Sequence, residues 1–232
     1  PLKALTQSYM RTKAKNLAEF NKTMALNTNS SNNTLFADAE GNIAYLHANF
    51  LPQRETKFDW RQPVDGRDPA AEWGALLPFE KAPNAINPNS GWVYNANDWP
   101  WAAAGPDSPK QANFPAWVDN GNESARGRHA VMVLQNKKDF SIQGLRDAAY
   151  DSYMPGFDRS IPTLIKAWDD ASAANPLKAK LADQIEQLRK WDLRWSIASV
   201  PTSLAIFYTA EVGRIGGGRG GRRGGGAAPA AP

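Results

Sequence analysis

Residues 91–100 read GWVYNANDWP, and this stretch decides which fold and which chemistry the chain can have. Its apolar residues alternate as in a strand, which predicts a strand over residues 91–97 that delivers two asparagines into a turn closed by proline. A carboxamide N–H at the end of a strand is a neutral donor that suits a developing oxyanion. Asparagine is also an ordinary turn residue, because it hydrogen-bonds its own backbone and tolerates left-handed dihedral angles. From this stretch alone, Asn95 and Asn97 fit both interpretations.

Ordered motifs on both sides of this stretch carry a stronger signal. Each motif is weak by itself, but they follow one another at consistent spacing: NTLFADAEGNIAY (33–45), WRQPVDG (60–66), EWGALLPF (72–79), NP (87–88), SG (90–91), NAN (95–97) and RGR (126–128). Over roughly residues 2–200 the set resembles the penicillin acylase group of N-terminal-nucleophile hydrolases. The region that it resembles is the C-terminal part of the large (beta) chain.

The resemblance implies a fold and a reaction. The fold is α+β, part of the four-layer αββα sandwich of N-terminal-nucleophile hydrolases, with a helix-rich second half. The reaction is hydrolysis of a linear amide, which removes an acyl group from an amine such as a β-lactam nucleus or a homoserine lactone. Relatives also act on cephalosporin side chains and lipopeptides, so roles in antibiotic biosynthesis, antibiotic resistance and quorum quenching all stay open. A periplasmic or secreted location is implied in the same way.

One part of the family's active site is missing from this sequence. Family members cleave the amide with a serine that begins the mature large chain, and the serine's own α-amino group acts as the base. Residue 1 here is Pro1, and the family's serine lies farther upstream of its asparagine than the 96 residues that precede Asn97. We therefore expect the chain to be inactive alone, with the nucleophile-bearing half, the small (alpha) chain and a small-molecule amide as partners. A non-catalytic binding or interaction domain on the same framework is the alternative.

Two catalytic residues follow from the resemblance. Asn97 matches the oxyanion asparagine, whose carboxamide donates to the tetrahedral intermediate, while Asn95 is expected to order the loop. Arg126 matches an arginine beside the nucleophile's amino group, where like-charge repulsion lowers the pKa of the ammonium and keeps it a free base. The other interpretation of Arg126 is a surface ion pair with Glu123. Arg128 is the second candidate for the catalytic position.

Composition limits the classes of function. The chain has 232 residues, 42% apolar content and nine tryptophans, enough for a sizeable core, and without cysteine it has neither disulfides nor thiol chemistry. Its net charge of +4 comes from four arginines in residues 214–232, which leaves 23 basic and 23 acidic side chains elsewhere. A neutral body argues against nucleic-acid and membrane partners. We predict a disordered Gly/Arg/Ala/Pro tail over residues 214–232, with an RNA-contacting segment or a flexible linker as alternatives.

The sequence contains few motifs that indicate a metal site or a catalytic histidine. His47 and His129 are the two histidines, and without a His-Glu-x-x-His or Gly-x-Ser-x-Gly motif we predict structural roles for both. No cofactor and no catalytic metal are expected. The resemblance allows a structural calcium, with Trp60 (through its backbone carbonyl) and Asp107 as the counterparts of its ligands.

The coarse organisation follows from periodicity and turn residues. The predicted parts of the family-like region 1–213 are a helix and hairpin (1–50), a Pro/Trp-rich wrap with a strand (51–121) and a helical region (122–213). The wrap's tryptophans are expected to pack in the core, with an aryl- or sugar-binding platform as the alternative. The predicted elements are a helix at 3–26, strands at 34–38 and 42–46, and helices at 123–136, 141–153, 159–174 and 177–212, the last broken near Trp191 and Pro201.

Single residues mark several of these elements. Gly41 is expected to supply the positive φ of the hairpin turn, Ser141 to cap the second of the four helices, and Asn175 with Pro176 to start the last. Six prolines between residues 49 and 90 predict an irregular wrap without long helices.

Overall fold

The computed structural model describes residues 2–29, 32–47 and 50–216. This described part of the chain contains eight α-helices, five short 3-10 turns and one small antiparallel sheet, so the α+β class is confirmed. The chain divides into two compact units, with the boundary between Asp151 and Ser152. None of the described helices is long and apolar enough to span a lipid bilayer.

The predicted helix at 3–26 is two helices, α1 (Leu2–Arg11) and α2 (Leu17–Met24). The break has a local cause, because Asn16 caps α2 by accepting the backbone N–H of Glu19 at 2.9 Å. The Glu19 carboxylate in turn accepts the backbone N–H of Lys15, the residue before the cap, at 2.9 Å. A continuous helix would have to give up both bonds.

The sheet of the first unit has the order β1 (Thr34–Ala37), β2 (Ile43–Leu46) and β3 (Ala85–Ile86). The predicted hairpin is confirmed: Phe36 pairs with Ala44, and Gly41 takes the turn at φ +86°. The buried face of β2 packs with Phe20 and Met24 of α2 to form one core cluster. Leu35 and Ile86 on the outer strands are exposed, and neither outer edge of the sheet is paired within the described residues.

The predicted strand at 91–97 is wrong, since the third strand lies earlier in the chain, at β3. In the 91–97 stretch a single ladder-like bond occurs, from the Tyr94 N–H to the Ala103 carbonyl at 2.9 Å. The chain turns back through 3-10 turns at Pro100–Ala102 and Gly105–Asp107, and the Trp92 ring lies against Gly105. The alternating apolar residues therefore pack on a returning loop instead of pairing with a strand.

The proline-rich wrap is irregular, as predicted, and it is anchored by apolar side chains. Its further 3-10 turns are Pro69–Ala71, Phe79–Lys81 and Gln111–Asn113. Leu77, Ala82 and Val118 form a core cluster, and the partly buried Trp117 packs against it. Trp73 is 59% exposed, so the prediction that the wrap's tryptophans lie in the core does not hold for that ring. The first unit ends with α3 (Ala125–Leu134) and α4 (Ile142–Ala149), and Ser141 caps α4 as predicted.

The second unit is helical: α5 (Ser160–Asp170), α6 (Pro176–Lys180), α7 (Ala182–Arg189) and α8 (Val200–Ile215). The predicted helix at 177–212 is therefore three helices. Asn175 caps α6 with Pro176 in the first turn, as expected. The predicted break near Trp191 and Pro201 is confirmed, because α7 ends at Arg189 and α8 begins at Val200 with Pro201 in its first turn. The further break at Leu181 was not predicted. The predicted tail began too early, because Arg214 still belongs to α8. Residues 217–232 lie outside the described part of the chain.

Candidate functional site

The side chains of Asn97 and Arg126 lie in contact. Nη2 of Arg126 donates to Oδ1 of Asn97 at 3.4 Å. Asn97 has φ +55°, and its backbone N–H donates to Oδ1 of Asn95 at 3.0 Å, which makes the triplet an Asx turn. Because the carbonyl end of the Asn97 amide faces the guanidinium, its NH2 end is available to another acceptor. The catalytic roles of the two residues stay predictions.

Asp98 joins the asparagine loop to the start of α3, and sequence reasoning missed it. Oδ2 of Asp98 accepts the backbone N–H of Ser124 at 3.3 Å and its hydroxyl at 3.1 Å. The Ser124 hydroxyl oxygen caps α3 by accepting the backbone N–H of Gly127 at 2.9 Å. Asn97 and Arg126 each lie one residue from a member of this network, so it fixes the separation of their backbones.

Gly127 makes this close approach sterically feasible. A Cβ at this position would lie 1.8 Å from Oδ2 of Asp98 and 2.9 Å from the Tyr94 hydroxyl. Burial, together with the charge of Asp98, raises the pKa of Tyr94, so its hydroxyl stays protonated. The middle residue of the RGR motif therefore has a steric function, because glycine brings the helix start against the loop.

The two arginines of the motif have different surroundings. Arg128, not Arg126, approaches Glu123, with Nη1 and Oε2 separated by 3.9 Å. The alternative interpretation of Arg126 as the partner of Glu123 is therefore wrong. Arg126 is exposed, and within the described residues no carboxylate forms an ion pair with it.

Asn97 belongs to the lining of a cleft of about 650 Å³ in the first unit. Asn95, Asn97 and Asp98 contribute to one part of the lining, and the other polar members include His47, Arg54 and Asp119. Asn97 is exposed, so a ligand or another polypeptide can reach it. The cleft combines neutral amide donors with both signs of charge.

His47 is buried beside this cleft, with 5% of its surface exposed. Burial lowers the pKa of His47 below its ordinary value, although the charge of Asp119 acts in the opposite direction. Nε2 lies 3.6 Å from Oδ2 of Asp119, and Nδ1 lies 3.1 Å from the Tyr45 hydroxyl, whose pKa burial raises. A neutral ring that accepts from Tyr45 and turns its N–H toward Asp119 satisfies all three groups, which fits the predicted structural role.

The stability of the chain is expected to fall as the pH drops through the unfolded-state pKa of histidine, about 6.5. The folded pKa of His47 lies below that value, so the unfolded chain takes up the proton first. Stability is complete above the unfolded pKa and declines below it, with a slope of at most about 1.4 kcal/mol per pH unit for one proton. Urea unfolding at pH 7.5 and 5.5 should show a smaller decrease in His47→Gln, and an equal decrease would contradict the assignment.

The remaining predicted site residues, His129, Asp107 and Trp60, each form a hydrogen bond within the protein. His129 contacts Oδ1 of Asp151 at 2.9 Å, an ion pair when the ring is protonated. Asp107 accepts the backbone N–H of Ser90 at 2.6 Å, and the Trp60 ring donates to the Glu55 carbonyl at 2.8 Å. Within the described residues no group of three or more acidic or histidine side chains gathers as metal ligands. Two residues do not make the many-oxygen shell that calcium prefers, so the calcium site stays a prediction.

Comparison with known proteins agrees with the ordered motifs. The model of the penicillin amidase family matches residues 2–215. Penicillin G acylase of Escherichia coli is 40% identical over 88 residues, a match that covers 38% of this chain and 10% of that protein's length. The chain thus matches a small part of that larger relative, whereas the family match extends over nearly all of the chain. On that extent of agreement, this chain belongs to the penicillin amidase family.

Proposed function

We propose that this chain supplies the oxyanion-binding amide and an arginine to the active site of an acylase, a hydrolase of linear amides. The attacking serine comes from another part of the protein, and the chain alone is inactive. The observation that carries the proposal is the contact between Asn97 and Arg126 beside the cleft, in a chain that the family model matches over residues 2–215. The acyl group and the amine, whether a β-lactam nucleus or a homoserine lactone, stay open.

The geometry suggests a role for each of the two side chains. As the serine oxygen bonds to the amide carbon, its proton passes to the α-amino group and the carbonyl electrons move onto oxygen. The free NH2 end of Asn97 donates to that oxygen, while Arg126 holds the other end of the amide. The Arg126 charge also lowers the pKa of a nearby ammonium, which favours the free base.

The exposure of both side chains indicates what the rest of the protein contributes. Asn97 and Arg126 are exposed on this chain, and a hydrogen bond to an oxyanion is worth most where water is excluded. We propose that the nucleophile-bearing half and the small chain cover the cleft and complete the four-layer sandwich around the three-stranded sheet. A periplasmic or secreted location is part of the same proposal.

The test is to assay this chain alone and together with the nucleophile-bearing part of the same protein, using a chromogenic aryl-acetamide. We expect no turnover by the chain alone and turnover by the assembled protein, because the serine is contributed from elsewhere. Turnover by the isolated chain that survives Asn97→Ala would contradict the proposal. An assembled protein that binds amides without hydrolysing them would favour the alternative, a non-catalytic binding domain.

Two matched variants separate an acylase from an unrelated contaminating activity in this assay. Arg126→Gln removes the charge beside Asn97 and is expected to shift the acid limb of the kcat/KM profile to higher pH by about one unit. Arg128→Gln removes an arginine directed toward Glu123 and should leave the limb in place. Identical profiles for both variants would remove Arg126 from the mechanism.

A further inference from the structure

Arg54 has an unusual environment for an arginine. Its guanidinium carbon lies 5.2 Å from the ring centroids of both Trp60 and Trp73, within the range of a cation–π contact. The side chain is partly buried. Within the described residues, these two ring contacts are the interactions of the Arg54 side chain, and neither a carboxylate nor a carbonyl oxygen accepts a hydrogen bond from it. Two aromatic rings therefore hold Arg54 in position, while no described residue supplies an acceptor for its N–H donors.

Other arginines of the same segment are paired differently. Arg61 donates to Asp59 at 2.8 Å, and Arg67 donates to Asp65 at 2.8 Å, both on the exposed surface. In each pair a carboxylate two residues earlier in the chain satisfies the guanidinium. Arg54 has no such neighbour, because residue 52 is a proline. Of these three arginines, Arg54 is the one for which no described residue supplies a carboxylate partner.

Arg54 lines the same cleft as Asn97, and within the described part of the chain no carboxylate forms an ion pair with it. Asp98 is held by the N–H and hydroxyl of Ser124. Asp119 accepts the backbone N–H of Gly121 at 2.7 Å and faces His47. Both acidic groups of the lining thus receive hydrogen bonds from protein donors. No described residue, by contrast, accepts a hydrogen bond from Arg54.

A planar anion fits what Arg54 offers. A guanidinium binds a carboxylate through two parallel N–H···O bonds, and the charge-assisted pair is stronger than a neutral one. The aromatic contacts restrict the side chain before the ligand arrives, so less conformational entropy is lost on binding. An indole ring face cannot replace the oxygen acceptors that these donors lack.

We propose that Arg54 is a specificity-determining residue that binds a carboxylate of the substrate, at a distance from the amide that is cleaved. The inference rests on the proposed acylase function and makes it more specific: the preferred substrates are amides that carry a second, anionic group. Trp60 and Trp73 act as positioning residues, because they hold the guanidinium in the cleft.

The experiment compares two ligands that differ only in a remote charge, N-phenylacetylglycine and its neutral amide, N-phenylacetylglycinamide. Binding to the full chain is measured by calorimetry and by tryptophan fluorescence, to which Trp60 and Trp73 contribute together with the chain's other seven tryptophans. A charge-assisted hydrogen bond predicts that the acid binds about tenfold more tightly than the amide. Arg54→Gln should abolish this ratio and leave the Kd of the neutral amide nearly unchanged.

Control variants make the result specific. Arg54→Lys keeps the charge but not the planar fork, so part of the ratio should return. Arg67→Gln removes an arginine outside the cleft lining and should leave the full ratio. Circular dichroism of each variant checks that the chain is folded. The proposal is overturned if the wild-type chain binds both ligands equally or neither of them, or if the ratio survives in Arg54→Gln.

The outcomes for Arg54 and for hydrolysis are separable because the binding measurement requires no turnover. If the assembled protein hydrolyses no amide while the charge ratio disappears in Arg54→Gln, the acylase proposal fails and the anion site stands. If hydrolysis depends on Asn97 but the two ligands bind alike, the assignment of Arg54 fails alone.

Discussion

Asn97→Ala is expected to lower kcat for amide hydrolysis by the assembled protein about 10²–10³-fold, the usual effect of removing one oxyanion donor. The free NH2 end of Asn97 is the group that would donate to the oxyanion, and alanine leaves nothing in its place. Because that bond forms only in the transition state, KM should change little while kcat falls. Steady-state kinetics with a chromogenic aryl-acetamide measure both constants.

Two further variants control this experiment. Asn97→Asp keeps the shape and the contact with Arg126 but has no N–H to donate, so its activity should be as low as that of the alanine variant. Asn113→Ala changes an exposed asparagine in a 3-10 turn outside the cleft lining and should retain full activity. A folded Asn97→Ala enzyme with nearly wild-type kcat would exclude Asn97 as an oxyanion donor.

Gly127→Ala is expected to destabilise the first unit by about 2 kcal/mol, in the range that overpacking costs. The new methyl group would overlap Oδ2 of Asp98 and force that carboxylate away from Ser124. The loop carrying Asn97 would then lose its connection to α3, so activity should fall together with stability. Urea unfolding followed by tryptophan fluorescence measures the change in free energy.

The matched control is Gly213→Ala, also within a helix. A Cβ on Gly213 meets no atom within 4 Å, so this change should stabilise α8 by up to about 1 kcal/mol through helix propensity alone. The two substitutions are chemically the same and are expected to have opposite signs. If Gly127→Ala proved as stable as the wild-type chain, the steric role assigned to Gly127 against Asp98 would be wrong.

Local signals in the sequence predicted much of the secondary structure. Ser141 and Asn175 are caps, and Gly41 closes a hairpin, because each of these residues acts on its immediate neighbours. The prediction of a strand at 91–97 was wrong because strand pairing depends on residues outside the immediate neighbourhood. The alternation of this stretch is real, but whether an extended segment joins a sheet depends on what packs beside it, here the Trp92 ring on Gly105.

In the candidate site, too, local motifs were predictable from the sequence and long-range contacts were not. The motifs identified Asn97 and Arg126, which the structure brings into contact. The link between Asp98, which follows Asn97, and Ser124, two residues before Arg126, was not predicted, because it spans 26 positions and depends on how the loop folds back. The surroundings of Arg54 were missed for a related reason, since an arginine between tryptophans has no spacing rule.

Within the described residues, the outer edges of β1 and β3 are unpaired, which affects handling and biosynthesis of the chain. Backbone N–H and C=O groups along β1 and β3 are templates for strand addition, and the exposed Leu35 and Ile86 side chains beside them favour it. We therefore expect copies of the isolated chain to associate edge to edge, so that aggregation measured by light scattering rises steeply with concentration. A newly made chain would meet the same hazard in the cell until another polypeptide segment covers these edges.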